Sequence, residues 1–258
     1  MRILLHGCNG KMGQVMTRVL AAEAGMEVVA GVDIDPRKCA NSYPVYASLR
    51  QAAEVREARE SPDMLVDFSH HTSLDAVLEY GLAKKVPLLI CTTGFTLEEK
   101  QRMADASRQV AILNSANMSL GVNLVLSLVK QASALLHDSF DIEIVEKHHN
   151  QKVDSPSGTA IMIAEAIESS VGEGLERKYG RHAKSEKRQK REIGIHSVRG
   201  GAIVGEHDVI FAGQGEVIQI THSALSRDVF AYGAVRAARF LSGKGPGLYS
   251  MREVIESR

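Results

Sequence analysis

Ile3-Leu4-Leu5-His6-Gly7-Cys8-Asn9-Gly10-Lys11-Met12-Gly13 is the stretch whose reading decides the fold. Three large aliphatic residues make a short strand, glycines spaced GxxGxxG follow at once, and Gln14 to Ala24 carries apolar residues at helical spacing. A glycine loop between a strand and a helix permits a tight turn, close approach of a pyrophosphate, and close packing of helix on strand. The spacing is not GxGxxG, so the surroundings carry the argument. The next strand, Val28 to Val32, ends at Asp33, twenty residues past Gly13. There an acidic side chain would accept hydrogen bonds from the ribose hydroxyls of an adenosine. A tight turn and a plain strand end are the competing reading of the same residues. Ile34 cannot grip a ribose phosphate and Asp33 would repel one, so the expected cofactor is NADH; Arg37 and Lys38 lie near enough in sequence to leave NADPH open.

Outward from this loop, further short strands are expected at Met64 to Phe68, Val86 to Thr92 and Val110 to Leu113, alternating with helical stretches as in a parallel, doubly wound sheet. Cys91-Thr92-Thr93-Gly94 and Ser115-Ala116-Asn117-Met118 follow the last two, at the carboxyl edge where ligands bind in open α/β sheets. Turn chemistry explains either segment alone. Together they would set backbone groups and small side chains around a nicotinamide ring. After a helix from Val122 to Leu136 the character changes: a strand at 141 to 146, a helix at 159 to 169, and long strands near 193 to 199, 202 to 212 and 216 to 224. That is an α+β pattern with a mixed or antiparallel sheet. The last helix, Val229 to Leu241, resembles the α/β half. The expected architecture is therefore a Rossmann-like dinucleotide-binding domain over 1–119 and 229–258, with an α+β domain with a mixed sheet over 120–228.

The 258 residues include 31 basic and 31 acidic side chains, which gives no overall charge to recruit nucleic acid or an anionic membrane surface. The apolar start is too short for a signal peptide and no run approaches a spanning helix, so a cytoplasmic protein is expected. Cys8, Cys39 and Cys91 are odd in number and widely spaced, without a CxxC, which argues against a disulfide scaffold or thiolate metal knuckle. The polar run Gly172 to Glu192 holds Lys184, Lys187, Arg188, Lys190 and Arg191, with no aromatic beyond Tyr179. It reads as a mobile, solvated loop rather than a polyanion site.

Chemistry is concentrated in Glu146-Lys147-His148-His149-Asn150-Gln151-Lys152-Val153-Asp154-Ser155-Pro156-Ser157-Gly158-Thr159-Ala160. The preceding residues alternate as a strand and the following ones read as a helix, which places both histidines and the lysine on a strand-to-helix loop. A helix beginning near Ser157 offers N–H groups and the positive end of its dipole to an anion. Lys152 beside the imidazoles would lower their proton affinity and make better acids of them near neutral pH. Paired histidines also raise a metal site, but adjacent imidazoles lack the spacing of helical ligand pairs and no CxxC or HExxH accompanies them. No metal is expected.

These segments, with Asp67-Phe68-Ser69, Val204-Gly205-Glu206-His207, Ile220-Thr221-His222, Ser226-Arg227 and Gly233-Ala234-Val235-Arg236, resemble the 4-hydroxy-tetrahydrodipicolinate reductases (formerly dihydrodipicolinate reductases) of lysine and diaminopimelate biosynthesis. The histidine-lysine block is the specific part. The resemblance implies a cofactor held by Gly7, Cys8, Asn9, Gly10, Lys11, Met12, Asp33, Cys91, Thr92, Thr93, Ser115, Ala116, Asn117 and Met118. It implies His148 as the catalytic histidine, Lys152 as proton donor, His149 as a substrate-binding residue, and Gly158 with Thr159 holding a carboxylate of a small dicarboxylate substrate. It also implies a homotetramer built through the sheet of the second domain, which would bind the substrate. Three departures stand out: Ile34 where others carry arginine, Cys91 where glycine is common, and Ser69-His70-His71 in place of a Thr-Arg-Pro run, for which a solvated loop is the default. Two other functions fit parts of the chain. A different two-domain nicotinamide dehydrogenase would use the glycine loop and Asp33, and a non-catalytic NADH sensor would use the second domain to meet a partner.

Overall fold

A computed structural model describes residues 1–54, 61–172, 174–182, 184 and 186–257. In chain order the strands are β1 (Arg2–His6), β2 (Glu27–Val32), β3 (Val45–Tyr46), β4 (Met64–Asp67), β5 (Leu88–Ile90), β6 (Ala111–Asn114), β7 (Asp141–His148), β8 (Glu176–Tyr179), β9 (Glu192–Arg199), β10 (Gly205–Ala212), β11 (Val217–Ala224) and β12 (Gly247–Tyr249). The helices are α1 (Lys11–Ala21), α2 (Leu49–Glu54), α3 (Leu74–Lys84), α4 (Leu97–Ala106), α5 (Leu120–Leu136), α6 (Gly158–Val171), α7 (Asp228–Leu241) and α8 (Met251–Glu256). The chain packs as two units, Met1–Leu120 with Arg227–Arg258, and Gly121–Ser226. Among the described residues no helix is long and apolar enough to cross a membrane.

The first unit is a seven-stranded sheet in the order β12-β6-β5-β4-β1-β2-β3 with every pairing parallel. Its central strands are mostly aliphatic because both faces are covered. Successive side chains point to opposite faces, so Ile3, Leu5, Val66, Leu89 and Leu113 join one core with α1, α7 and α8, while Leu4, Leu65, Leu88, Ile90 and Ile112 join another with α3 and α4. Strand order turns in opposite directions from β1 and β4, and the crevice at such a switch point is where this architecture binds ligands.

The second unit is a five-stranded mixed sheet, β11-β10-β7-β9-β8, in which β7 is antiparallel to β10 and parallel to β9. One face packs Ile142, Ile144, Ile193, Ile195, Val209 and Phe211 against Val125 and Val129 of α5 and Ile163 and Ile167 of α6.

Several expected boundaries shift. The first helix ends at Ala21 rather than Ala24, and the strand near 202–212 starts at Gly205. β7 runs past 146 to His148, which pairs with Arg199 and accepts the Gly200 N–H at 2.9 Å. His148 is therefore a strand residue, not a loop residue. Polar side chains at the inward positions 146 and 148 broke the apolar alternation that marks a strand end in sequence. The basic segment is a solvated loop only in part: Lys184, Lys187, Lys190 and Arg191 are exposed, but β8 pairs with β9, Arg188 bonds Asp141, Glu143 and three carbonyls, and Arg181 bridges Glu143 and Glu192. Residues 173, 183 and 185 of that segment, and residue 258 of the expected first domain, lie outside the described residues.

Candidate functional site

At the switch-point edge of the first unit the chain leaves β1 through Gly7, whose φ of +74° suits glycine. A Cβ there would lie 2.5 Å from the Phe68 carbonyl oxygen, and one on Gly13 would lie 2.1 Å from the Gly7 oxygen. The turn is closed by the Gly7 N–H on the Val32 oxygen at 2.8 Å, and by the Gly10 N–H on the Gly7 oxygen at 3.1 Å. Asp33 is tied to this loop: its carboxylate accepts the Asn9 N–H at 2.9 Å and the Asp35 N–H at 3.1 Å. Ile34 stands fully in solvent. Asn9 donates to the Asp35 carbonyl and accepts from Asn41, while Gln14 ties Cys8 and Asn41. Sequence reading missed Asn41 and Gln14, because an amide in a loop carries no periodic signal.

A cleft of about 460 Å³ opens at this edge, lined by Lys11, Met12, Cys91, Thr92, Thr93, Ala116, Asn117 and Met118. Four further lining residues were not assigned a role from sequence: Phe68, Ser69, Arg227 and Phe230. Ser115 turns its hydroxyl inward, donating to the Asn117 carbonyl at 2.8 Å. Cys8 is wholly buried in the core, its thiol pushed up to about 12, first by burial, then by Asp33. Only its backbone is left for a ligand. Burial also raises the Cys91 thiol well above its ordinary range, so the cleft meets a neutral sulfur. Asp67 organises the floor: it accepts from Thr92 at 2.7 Å and Ser69 at 2.6 Å, and His6 Nδ1 lies 2.8 Å away without hydrogen-bond alignment. The glycine cradle, the helix start at Lys11 without a side-chain cap, and Asp33 at the end of β2 fit a nicotinamide dinucleotide.

His70 and His71 do not form a solvated loop. His70 accepts the Thr72 N–H and caps a short 3₁₀ turn, and His71 Nδ1 lies 3.1 Å from Glu99, which itself closes a capping box with Thr96 at the start of α4. His71 ties the segment after β4 to that helix, while His70 stays exposed within its own turn.

In the second unit, β7 places Ile142, Ile144, Glu146 and His148 on one inward face, two apolar residues and then two polar ones. Glu146 is completely buried. Its Oε2 is 2.6 Å from His148 Nδ1, Arg199 donates to both oxygens at 2.7 Å, and the Ser157 N–H donates to Oε1 at 3.1 Å. Burial alone would raise its pKa; Arg199, Ser197, His148 and the Ser157 amide together bring it down to about 2. His207 pairs with Glu146 across the sheet and with His222 on its far side. Its Nε2 is 3.0 Å from Ser157 Oγ, its ring meets His148 edge-on at 5.2 Å, and burial followed by nearby cations lowers it to about 4. His148 is also lowered, first by burial, with Lys152 and Arg199 adding to the effect and Glu146 opposing it. Cation repulsion, expected from sequence to lead, is secondary.

His149 and Lys152 stand on the loop after β7, and Lys152 Nζ is 2.9 Å from Asp154. The amide of Ser157 is taken by Glu146, and its hydroxyl caps Ala160 at 3.1 Å. Gly158 and Thr159 occupy the first turn of α6, where helix N–H groups lack intrahelical acceptors. Sequence reading left Glu146, Arg199, Ser157 and His207 without roles. The alternation of β7 holds the signal for Glu146, an acidic residue at an inward position. Among the described residues no group of three or more histidine, cysteine or acidic side chains is placed to hold a metal ion.

Comparison with known proteins gives a consistent pattern. Residues 1–118 match the family model for the dihydrodipicolinate reductase N-terminus and 121–255 that for the C-terminus. The chain is 50% identical to 4-hydroxy-tetrahydrodipicolinate reductase of Caldanaerobacter subterraneus subsp. tengcongensis, covering 99% of this chain and 98% of that one. It is 48% identical to the Clostridium tetani protein of the same name, over 99% and 97%. A solved dipicolinate-bound dihydrodipicolinate reductase from Paenisporosarcina sp. TG-14 shares the fold, with a TM-score of 0.80, 24% identity and 97% of each chain covered.

Proposed function

The chain belongs to the dihydrodipicolinate reductase family, reductases of lysine biosynthesis, and on that premise we propose that it reduces 4-hydroxy-tetrahydrodipicolinate to tetrahydrodipicolinate with NADH. The observation that carries the proposal is the gathering of His148, Lys152 and the first turn of α6 around one end of the second unit's sheet. A solved reductase of this fold holds dipicolinate, a dicarboxylate, which supports a dicarboxylate substrate here.

When bound, the nicotinamide supplies a hydride to C4 of the substrate ring. The balance is substrate, NADH and a proton to product, NAD⁺ and water, the 4-hydroxyl leaving before or with reduction. Lys152, paired with Asp154 at 2.9 Å, gives the proton taken up at the neighbouring carbon. A positioned acid of this kind is worth roughly 10²- to 10⁴-fold. His148 orients or relays that proton; its Nδ1 is committed to Glu146, which leaves Nε2 as the working nitrogen. Gly158 and Thr159 hold one carboxylate with helix N–H groups and dipole, and His149, half-buried on the loop after β7, binds the substrate. Asp33 holds the adenosine ribose, and exposed Ile34 offers nothing to a ribose phosphate, which favours NADH over NADPH. Within this reading the unit of Met1–Leu120 and Arg227–Arg258 binds the cofactor. Gly121–Ser226 binds substrate and assembles a cytoplasmic homotetramer, for which the exposed Val217 and Ile218 of β11 offer apolar surface.

The test is NADH oxidation with substrate generated in place from pyruvate and aspartate semialdehyde by the preceding synthase. Oxidation that needs the synthase, and falls by about 10²-fold or more in Lys152→Ala with NADH affinity kept, is the expected result. NADH binding without synthase-dependent oxidation would refute the reductase reading, and full turnover in Lys152→Ala would refute the assigned donor.

A further inference from the structure

The second unit buries a carboxylate that the proposed reaction leaves without a task. Glu146 is fully excluded from solvent, yet apart from Ser197 its side-chain partners lead to residues of the proposed site. His148 Nδ1 meets one oxygen, the Ser157 amide meets the other, and the Arg199 guanidinium spans both. Arg199 is fixed in turn by the Asp154 carbonyl at 2.8 Å, beside the carboxylate that pairs with Lys152. A fully buried acid has a high desolvation cost, and the inward positions of β7 that precede it are both isoleucine. An apolar residue at 146 would continue that face.

We propose that Glu146, clamped by Arg199, is the positioning residue of this site, setting the His148 imidazole through Nδ1 and the anion-binding first turn of α6 through the Ser157 amide. It touches neither substrate nor cofactor. Because the carboxylate accepts, His148 must carry its proton on Nδ1, and Nε2 is presented as the acceptor that shuttles a proton. The same oxygen pair anchors the N-cap that precedes Gly158 and Thr159, so imidazole and amides are held in one frame. The inference deepens the reductase reading and rests on it for its kinetic arm alone.

The groups that face His148 are Glu146 on its own strand, Arg199 on β9, His207 on β10 with His222 beyond it on β11, and Lys152 with Asp154 on the following loop. Of these, Glu146 is the one that raises the affinity of His148 for a proton. Glu146→Gln keeps the shape and removes the charge. Turnover is expected to fall by about 10²-fold with the NADH dissociation constant unchanged, and the His148 limb of the pH–rate profile to move to lower pH. Long-range ¹H–¹⁵N spectra of the histidine-labelled enzyme, with His148→Gln for assignment, are expected to show the Nδ1–H form in the parent and loss of that preference in the variant. Glu146→Gln leaves Arg199 unpaired, so Glu146→Gln with Arg199→Met, which removes both charges, serves as the second folded variant. A folded variant with turnover within about threefold of the parent, or an Nε2–H His148 in the parent, overturns the proposal. A parent that binds NADH without turnover refutes the reductase reading instead; the tautomer measurement then still decides the positioning role.

Discussion

Replacing Arg199 with methionine removes the guanidinium that holds Glu146 ionised in the core. The Glu146 pKa is depressed from its ordinary 4.5 to about 2. At roughly 1.4 kcal/mol per pH unit, that depression of about 2.5 units amounts to about 3 kcal/mol. The Arg199 side chain is 20% exposed, and allowing for solvent screening leaves about 2 kcal/mol. Folding favours the ionised form, so this contribution is complete above the unfolded value near 4.5 and drains away as pH falls toward 2. In Arg199→Met the carboxylate moves back up, and at pH 7 the second unit should lose about 2 kcal/mol, rising to about 4 if the stranded charge finds no other partner. Hydrogen exchange of the β7 amides, read by mass spectrometry, measures this directly: exchange through unfolding at pH 7 should quicken by about thirtyfold or more. The parent should also destabilise between pH 4.5 and 2 while the variant changes less. Exchange within about threefold of the parent, together with an unchanged acid slope, would refute the reasoning.

Three further outcomes follow from the same geometry. His207, buried neutral with a pKa near 4 against an ordinary 6.5, must take up a proton that the unfolded chain binds earlier; the parent should lose about 3 kcal/mol as pH falls from 6.5 toward 4, and His207→Gln should flatten that part of the stability curve. Ile34→Arg, at a side chain already in solvent, should leave thermal stability alone and raise kcat/KM with NADPH by about tenfold while changing NADH use little; an unchanged NADPH value in steady-state assays would show that the ribose phosphate is read elsewhere. Ser157→Ala removes the cap on Ala160 and the bond to His207, and should cost about 1–2 kcal/mol by hydrogen exchange of α6 and raise KM for the dicarboxylate, with NADH binding intact.

The first unit was legible because its parallel strands are aliphatic on both faces: Ile3-Leu4-Leu5 and Val110 to Leu113 need no context to be read as buried strands. α4 was not delimited, since it buries only Glu99, Met103 and Ala106, too thin an apolar stripe to stand out. Of the residues assigned to the proposed reaction, His148, His149, Lys152, Gly158 and Thr159 share one contiguous motif and could be named from sequence alone. Arg199, fifty-one residues from His148 in sequence, was not, because its partnership exists only through the parallel pairing of β7 with β9. Glu146 lay in plain view, and the parity it shares with Ile142 and Ile144 is the local sign that it points inward, but Val145 at the opposite parity blurs that alternation. The arginines of the basic segment misled for the reason that hid Arg199: Arg181 and Arg188 find their acids on β7 and β9, which composition cannot foretell.

The return of the chain at Arg227 has a consequence for biosynthesis. α7 and α8 supply Ala231, Ala234, Val235, Ala238, Leu241, Met251 and Val254 to the core that covers Ile3, Leu5 and Met16, and β12 pairs with β6. A nascent chain that has emerged only as far as Ser226 therefore holds every residue of the inserted unit, whose own core is self-contained, while one face of the earlier sheet still lacks its helices. Vectorial synthesis should thus complete the middle of the protein before its beginning, and leave one face of the parallel sheet uncovered until the last helices arrive.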